Sequence, residues 1–227
     1  MTTPSLMLAT GQADSRAART GGRRRLTVME WRLRQLRLDH TVLTGVRTAA
    51  LEFGLPAELI ASVLLDEQLR LDAFDLVQDR LVRLGVRLPA RASTAFLRLL
   101  GALSGRSAES FSLGPAQMKF STLRLLGELG YLEVPATLEA QRLLLLDRLQ
   151  APRLVAACLR ATAEHWAERG VPILHRPEIL GTLYSLGLTG RRGVHLRPQT
   201  SERGALIARH AAWLAGHGQD TPGLVND

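Results

Sequence analysis

At 227 residues the chain can bury one good core, so one domain with short appendages is expected. Apolar residues make up 46% and aromatics only 4%, which leaves Leu, Ala and Val to build the interior and disfavours a β-sandwich. The net charge of +8 invites nucleic acid, yet Lys119 is the only lysine among the 29 basic residues, and this arginine skew runs through the whole chain. Nucleic acid is therefore an alternative partner and not the favoured one, since a basic surface also suits other polyanions.

Residues 1–25 are rich in Thr, Ser, Gly and Ala, lack periodicity and read as a disordered tail. Arg23-Arg24-Arg25 is followed by a segment that includes Glu30, Arg32 and Arg34 instead of an apolar run, so no signal peptide is expected. No stretch reaches the ~20 apolar residues that a membrane span needs. A single helical domain is expected over 26–216. Thr27 to Phe53 is helical, with a second helix from His40 that ends at Gly54. Pro56 opens the next helix, with Glu58 in its first turn, where the helix dipole favours an acid. Helical pattern continues from Gln68 to Leu84 after a break near Leu71, and again over Ala92–Leu103, before a polar loop from Ser104 to Phe111. Gln117–Leu129, Thr137–Leu149 with Thr137 as cap, Pro152–Arg169, Pro177–Gly187 and Ser201–Ala215 complete the series. Gly190–Pro198 reads as a basic loop, and 217–227 as a loose tail. The pattern predicts eight to ten helices and no sheet beyond a minor hairpin.

Glu67 is the first candidate for chemistry. The residues that share its helical face are Leu64, Val63, Ile60 and Leu59, all apolar. A carboxyl group in apolar surroundings titrates high, because its charged form loses hydration. It can then donate a proton at working pH. An acid at the edge of the stripe, exposed or paired with Arg70, is the plainer alternative. The second candidate is the stretch Ser112-Leu113-Gly114-Pro115-Ala116-Gln117. Gly114 permits close approach of a ligand or an unusual backbone angle, Pro115 suits the first turn of a helix, and Gln117 offers a donor and an acceptor. An ordinary loop-to-helix entry would look the same. Tyr184 is the third, able to stack on a sugar, or else to pack against Leu180 and Leu188.

Other chemistries find little support. Cys158, the only cysteine, lies among apolar residues and reads as a core residue. The six histidines are scattered without ligand spacing, so no metal site is expected. No P-loop, dinucleotide fingerprint or Ser-His-Asp order occurs, and no cofactor is expected. Asp72, Asp75 and Asp79 read as a solvated helical face.

Together these pieces resemble the lysozyme-like superfamily of soluble lytic transglycosylases and goose-type lysozymes. In that family a helix ends in a catalytic Glu, a Ser…Gly-x-x-Gln segment follows, and a Tyr-containing run lies later. Here the matching residues are Glu67, Ser112 with Gly114-Pro115-Ala116-Gln117, and Leu183-Tyr184-Ser185-Leu186-Gly187. The resemblance covers roughly Leu55 to Leu214. It implies an all-α, lysozyme-like domain with extra N-terminal helices and an inserted helical segment between Glu67 and Ser112. It implies that Glu67 is the general acid/base, that Ser112, Gly114, Gln117 and Tyr184 form the saccharide cleft, and that the partner is a peptidoglycan glycan strand cut at its MurNAc-GlcNAc bonds. Gln68 stands where the family often has Ser, and Ser185 replaces the Asn of the later motif. Inverting hydrolysis requires a second carboxylate. Asp72, Asp75, Asp79 and Glu109 are the nearby acids, none of them clearly placed, so a lytic transglycosylase is expected over a hydrolase. Without an export signal, location is cytoplasmic by default, or the cell wall by a non-standard route. The competing readings are a degenerate glycan-binding domain and a helical DNA- or protein-interaction module built on the Arg-rich segment Arg16–Arg37.

Overall fold

The computed structural model describes residues 27–71, 73–86, 112–190 and 192–217. The two expected tails, apart from His217, the helix Ala92–Leu103, the loop Ser104–Phe111, Arg16 to Arg25, Asp72 and Glu109 lie outside the described residues. Within them the fold is all-α. The helices are α1 (Val28–Gln35), α2 (His40–Phe53), α3 (Ala57–Arg70), α4 (Ala73–Val86), α5 (Phe120–Glu128), α6 (Leu138–Leu146), α7 (Ala151–Ala167), α8 (Pro177–Leu186) and α9 (Glu202–His217). One antiparallel hairpin, β1 (Ser112–Leu113) and β2 (Met118–Lys119), precedes α5. No helix among the described residues is long and apolar enough to cross a membrane.

Short polar side chains set the helix starts. The Thr27 hydroxyl accepts from the Glu30 amide at 3.1 Å, and the Glu30 carboxylate accepts from the Thr27 amide at 2.9 Å, a reciprocal capping box. Asp39, Thr137 and Ser201 cap α2, α6 and α9 by one-way bonds, accepting from the amides of Val42, Ala140 and Gly204. Helix α7 is the centre of the core. Twelve of its 17 residues are buried, so it is enclosed on nearly all sides, and α2, α3, α5, α6 and α8 pack around it.

Helices α8 and α9 approach closely because Gly204 has no side chain. A Cβ there would lie 2.1 Å from the Thr182 hydroxyl and 2.2 Å from the Glu178 carbonyl. The fit presses the start of α9 against α8, while its buried face also packs on α3. That placement carries Arg203 to the C-terminal end of α3.

The hairpin differs from the expectation for this stretch, which had Pro115 open a helix carrying Gln117. The chain reverses here instead. Gly114 adopts φ +67°, the Gln117 amide donates to the Gly114 carbonyl at 2.9 Å, and Gln117 itself sits at φ +45°. Lys119 then pairs with Ser112, Met118 with Leu113, and the helix begins only at Phe120. Leu113 and Met118 point into the core, which fastens the hairpin to the body. Asp79 on α4 accepts a hydrogen bond from the Gly114 amide at 3.2 Å. It is therefore a half-buried anchor for the turn and not part of a solvated face.

Candidate functional site

A cavity of about 480 Å³ opens between the end of α3, the hairpin, the end of α8 and the start of α9. Its wall includes Glu67, Ser112, Gln117 and Tyr184, four of the five residues singled out from the sequence. Gly114, the fifth, stands behind the wall. A Cβ at this position would meet the Leu145 carbonyl at 1.9 Å, so its part is to let the hairpin lie against α6.

Glu67 is 6% exposed, as the apolar face of α3 requires. Its charged neighbour is Arg203, whose Nη2 lies 2.5 Å from Glu67 Oε1. Arg70, the partner weighed from the sequence, pairs with Asp66 instead. Its Nε donates to both Asp66 oxygens at 3.1 and 3.0 Å. Arg203 Nε donates to Asp66 Oδ2 at 2.6 Å, so the fully buried Asp66 is shared by two arginines. Burial pushes the Glu67 carboxyl up to about 7, against the opposing pull of Arg203 and with a smaller upward contribution from the Asp66 charge. An acid in this state is part protonated near neutrality and stands at the edge of a cavity.

The other two candidates present less than their full hydrogen-bonding capacity. Gln117 Nε2 donates to the Gly114 carbonyl at 3.0 Å, which directs the side chain back over the turn and leaves Oε1 as an acceptor. The Tyr184 hydroxyl donates to the Ala116 carbonyl at 2.6 Å. Burial drives its pKa well above the usual phenol value, so it stays a neutral donor. Tyr184 thus ties α8 to the hairpin while forming part of the cavity wall. Cys158 also reaches the wall, but burial raises its thiol to about 12, far from a thiolate.

Sequence reasoning missed Asp66, Arg203 and Lys119. Asp66 and Arg70 stand at i and i+4 on α3, a spacing that signals an ion pair. Nothing local marks Arg203, which is 137 positions from Asp66. Lys119 reaches the cavity only because β2 exists. Among the described residues no three His, Cys, Asp or Glu side chains converge in a way that could hold a metal ion. No protein-family model, no curated protein sequence and no solved structure matches the chain.

Proposed function

We propose that the protein cleaves a glycan, most specifically as a lytic transglycosylase acting on peptidoglycan, with Glu67 as the one acid/base. The observation that carries this reading is a buried carboxyl, held near pKa 7, on the wall of a cavity with no second carboxylate among its described residues. Glu67 would give its proton to the leaving glycosidic oxygen as the bond to the anomeric carbon breaks. The resulting Glu67 carboxylate would then take the proton of the sugar's own 6-hydroxyl, whose oxygen closes on that carbon. No activated water, and hence no second carboxylate, is needed. The Gln117 Oε1 acceptor and the Tyr184 ring suit the polar edges and apolar faces of a sugar. The resemblance of the Glu, Ser…Gly-x-x-Gln and Tyr segments to lysozyme-like domains supports the same reading.

Digestion of purified peptidoglycan followed by mass spectrometry tests it. 1,6-Anhydro-muramyl ends are expected. Reducing ends that carry oxygen from labelled water would replace transglycosylation by hydrolysis, and intact glycan would overturn cleavage altogether.

A second reading rests on the 2.5 Å approach of Arg203 to Glu67. If that contact is a structural ion pair, the domain binds glycan without cutting it. The two readings predict opposite changes in stability for Glu67→Gln.

A further inference from the structure

We infer that a second cavity, between α8 and the loop that leads to α9, binds a small apolar carboxylic acid, its hydrocarbon body against Trp166 and its carboxylate against Arg192. This goes beyond the glycan reading and does not depend on it. The cavity measures about 230 Å³. Trp166 of α7 and Ile179, Leu183 and Leu186 of α8 form its apolar wall, and Arg192 and His195 stand on the loop side. The loop is fastened at both ends. Trp166 Nε1 donates to the Leu188 carbonyl at 2.7 Å, and the Gly190 amide donates to the Gly187 carbonyl at 2.9 Å. At the far end the Ser201 amide donates to the Thr182 hydroxyl at 3.0 Å. Between these anchors the His195 ring meets the Trp166 indole in a T-shaped contact, with centroids 5.9 Å apart. The wall is therefore held in place from both of its sides.

Volume and charge restrict the ligand. A void of about 150 Å³ lined by aliphatic and aromatic side chains takes benzene, so this larger one has room for one ring, or one branched chain, on a short arm. Apolar walls favour such a body by removing it from water. The loop supplies the charge. Arg192 is exposed and makes no ion pair or hydrogen bond among the described residues, and no Asp or Glu lies on the described wall. Its guanidinium is thus not offset, and a planar fork of N–H donors matches a carboxylate. A ring N–H of His195 can donate beside it. A duplex, a helix or a glycan strand exceeds the volume. A free acid and the C-terminal carboxylate of a peptide that ends in an aromatic residue share the required chemistry.

Nuclear magnetic resonance on the isotope-labelled full chain tests this through the indole N–H of Trp166, which lies on this cavity and not on the first. The other two tryptophans, Trp31 and Trp213, are assigned with Trp31→Phe and Trp213→Phe. The probes are phenylpropionate, phenylpropionamide, propionate and a tripeptide with a free C-terminal phenylalanine. Phenylpropionate should shift the Trp166 signal saturably, and the amide should bind about tenfold more weakly, the loss expected for a charge-assisted bond. Propionate, which lacks the ring, should leave the signal in place at the same concentration. Tighter binding of the tripeptide than of phenylpropionate assigns the carboxylate to a chain terminus, and weaker binding assigns it to a free acid. Arg192→Gln, an exposed substitution, should bring acid and amide within about threefold of each other, and Arg192→Glu should make the acid the weaker ligand. A Trp166 signal that no probe moves overturns the site. Equal affinity for acid and amide in the wild type overturns the carboxylate, and a preference that survives Arg192→Glu overturns its placement. None of these results bears on cleavage of glycan at Glu67.

Discussion

Burial holds the Glu67 carboxyl near pKa 7 although a guanidinium lies 2.5 Å away, so the folded protein prefers this group neutral. Glutamine reproduces the neutral form without the transferable proton. Glu67→Gln should therefore reduce glycan cleavage by about 10²–10⁴-fold, the usual contribution of a general acid/base. The same change should raise the melting temperature at pH 8, because it removes a charge that the fold disfavours. Arg203 keeps its bond to Asp66 in this variant and is not left unpaired. A lower melting temperature at pH 8 would instead identify Glu67–Arg203 as a structural ion pair and favour the binding-only reading. Tyr184→Phe removes the hydroxyl that donates to the Ala116 carbonyl. It should cost about 1 kcal/mol, the net contribution of a typical hydrogen bond, measured by urea denaturation. Wild-type stability in Tyr184→Phe would mean that this bond does not anchor the hairpin.

The hairpin and the α8–α9 contact position the wall of the cavity, and each depends on one missing side chain. Gly114→Ala adds a methyl carbon directly onto the Leu145 carbonyl and forces alanine to φ +67°. The left-handed conformation costs ~1–2 kcal/mol and the overpacking about 1–3 more. The turn should leave α6, taking Gln117 and Lys119 with it, so both stability and glycan affinity should fall. A crystal structure of the variant with an unmoved turn would contradict this. Gly204→Ala drives α9 away from Thr182 and Glu178. Arg203 precedes this glycine by one residue, so its contact with Glu67 should loosen. The alkaline limb of the pH–activity profile, where Glu67 loses the proton it must donate, should shift upward in this variant as the lowering influence of Arg203 weakens.

Across the molecule, two buried groups oppose each other as pH changes. Glu67 has a folded value of about 7 against 4.5 unfolded, so the unfolded chain ionises first and stability falls as pH rises from 4.5 to 7. His210, 3% exposed, has a folded value of about 4 against 6.5. Burial is the main cause, followed by Arg34 and Arg37, with Asp66 opposing them. The unfolded chain takes up a proton first as pH falls below 6.5, so His210 makes stability rise between pH 4 and 6.5. Each shift is worth about 3 kcal/mol at 1.36 kcal/mol per unit, and the two nearly cancel. Ser62 orients the imidazole in its interior site. Its hydroxyl donates to the Ile207 carbonyl at 2.8 Å and lies 3.2 Å from His210 Nδ1, which must then be the donor of the pair. Wild-type stability, followed by urea denaturation, should thus vary little from pH 4.5 to 6.5. Glu67→Gln should expose the His210 dependence, with stability rising by about 3 kcal/mol from pH 4 to 6.5. A stability difference between variant and wild type that is the same at every pH would contradict the balance.

Helix ends and the burial of Glu67 were legible in the amino-acid order because both are local. Thr137 and Ser201 cap the turns that follow them, and Leu59, Ile60, Val63 and Leu64 lie within two turns of the acid whose environment they set. The hairpin was hidden because Pro115 reads equally as a helix start, and only docking of Gly114 against Leu145 selects the reversal. The electrostatics of the cavity were hidden for a different reason. Arg203 meets Asp66 and Glu67 across most of the chain, through the close fit of α9 on α8 and the packing of α9 on α3. Periodicity identifies which face of a helix is apolar, but which charges meet across two such faces is decided when the helices pack.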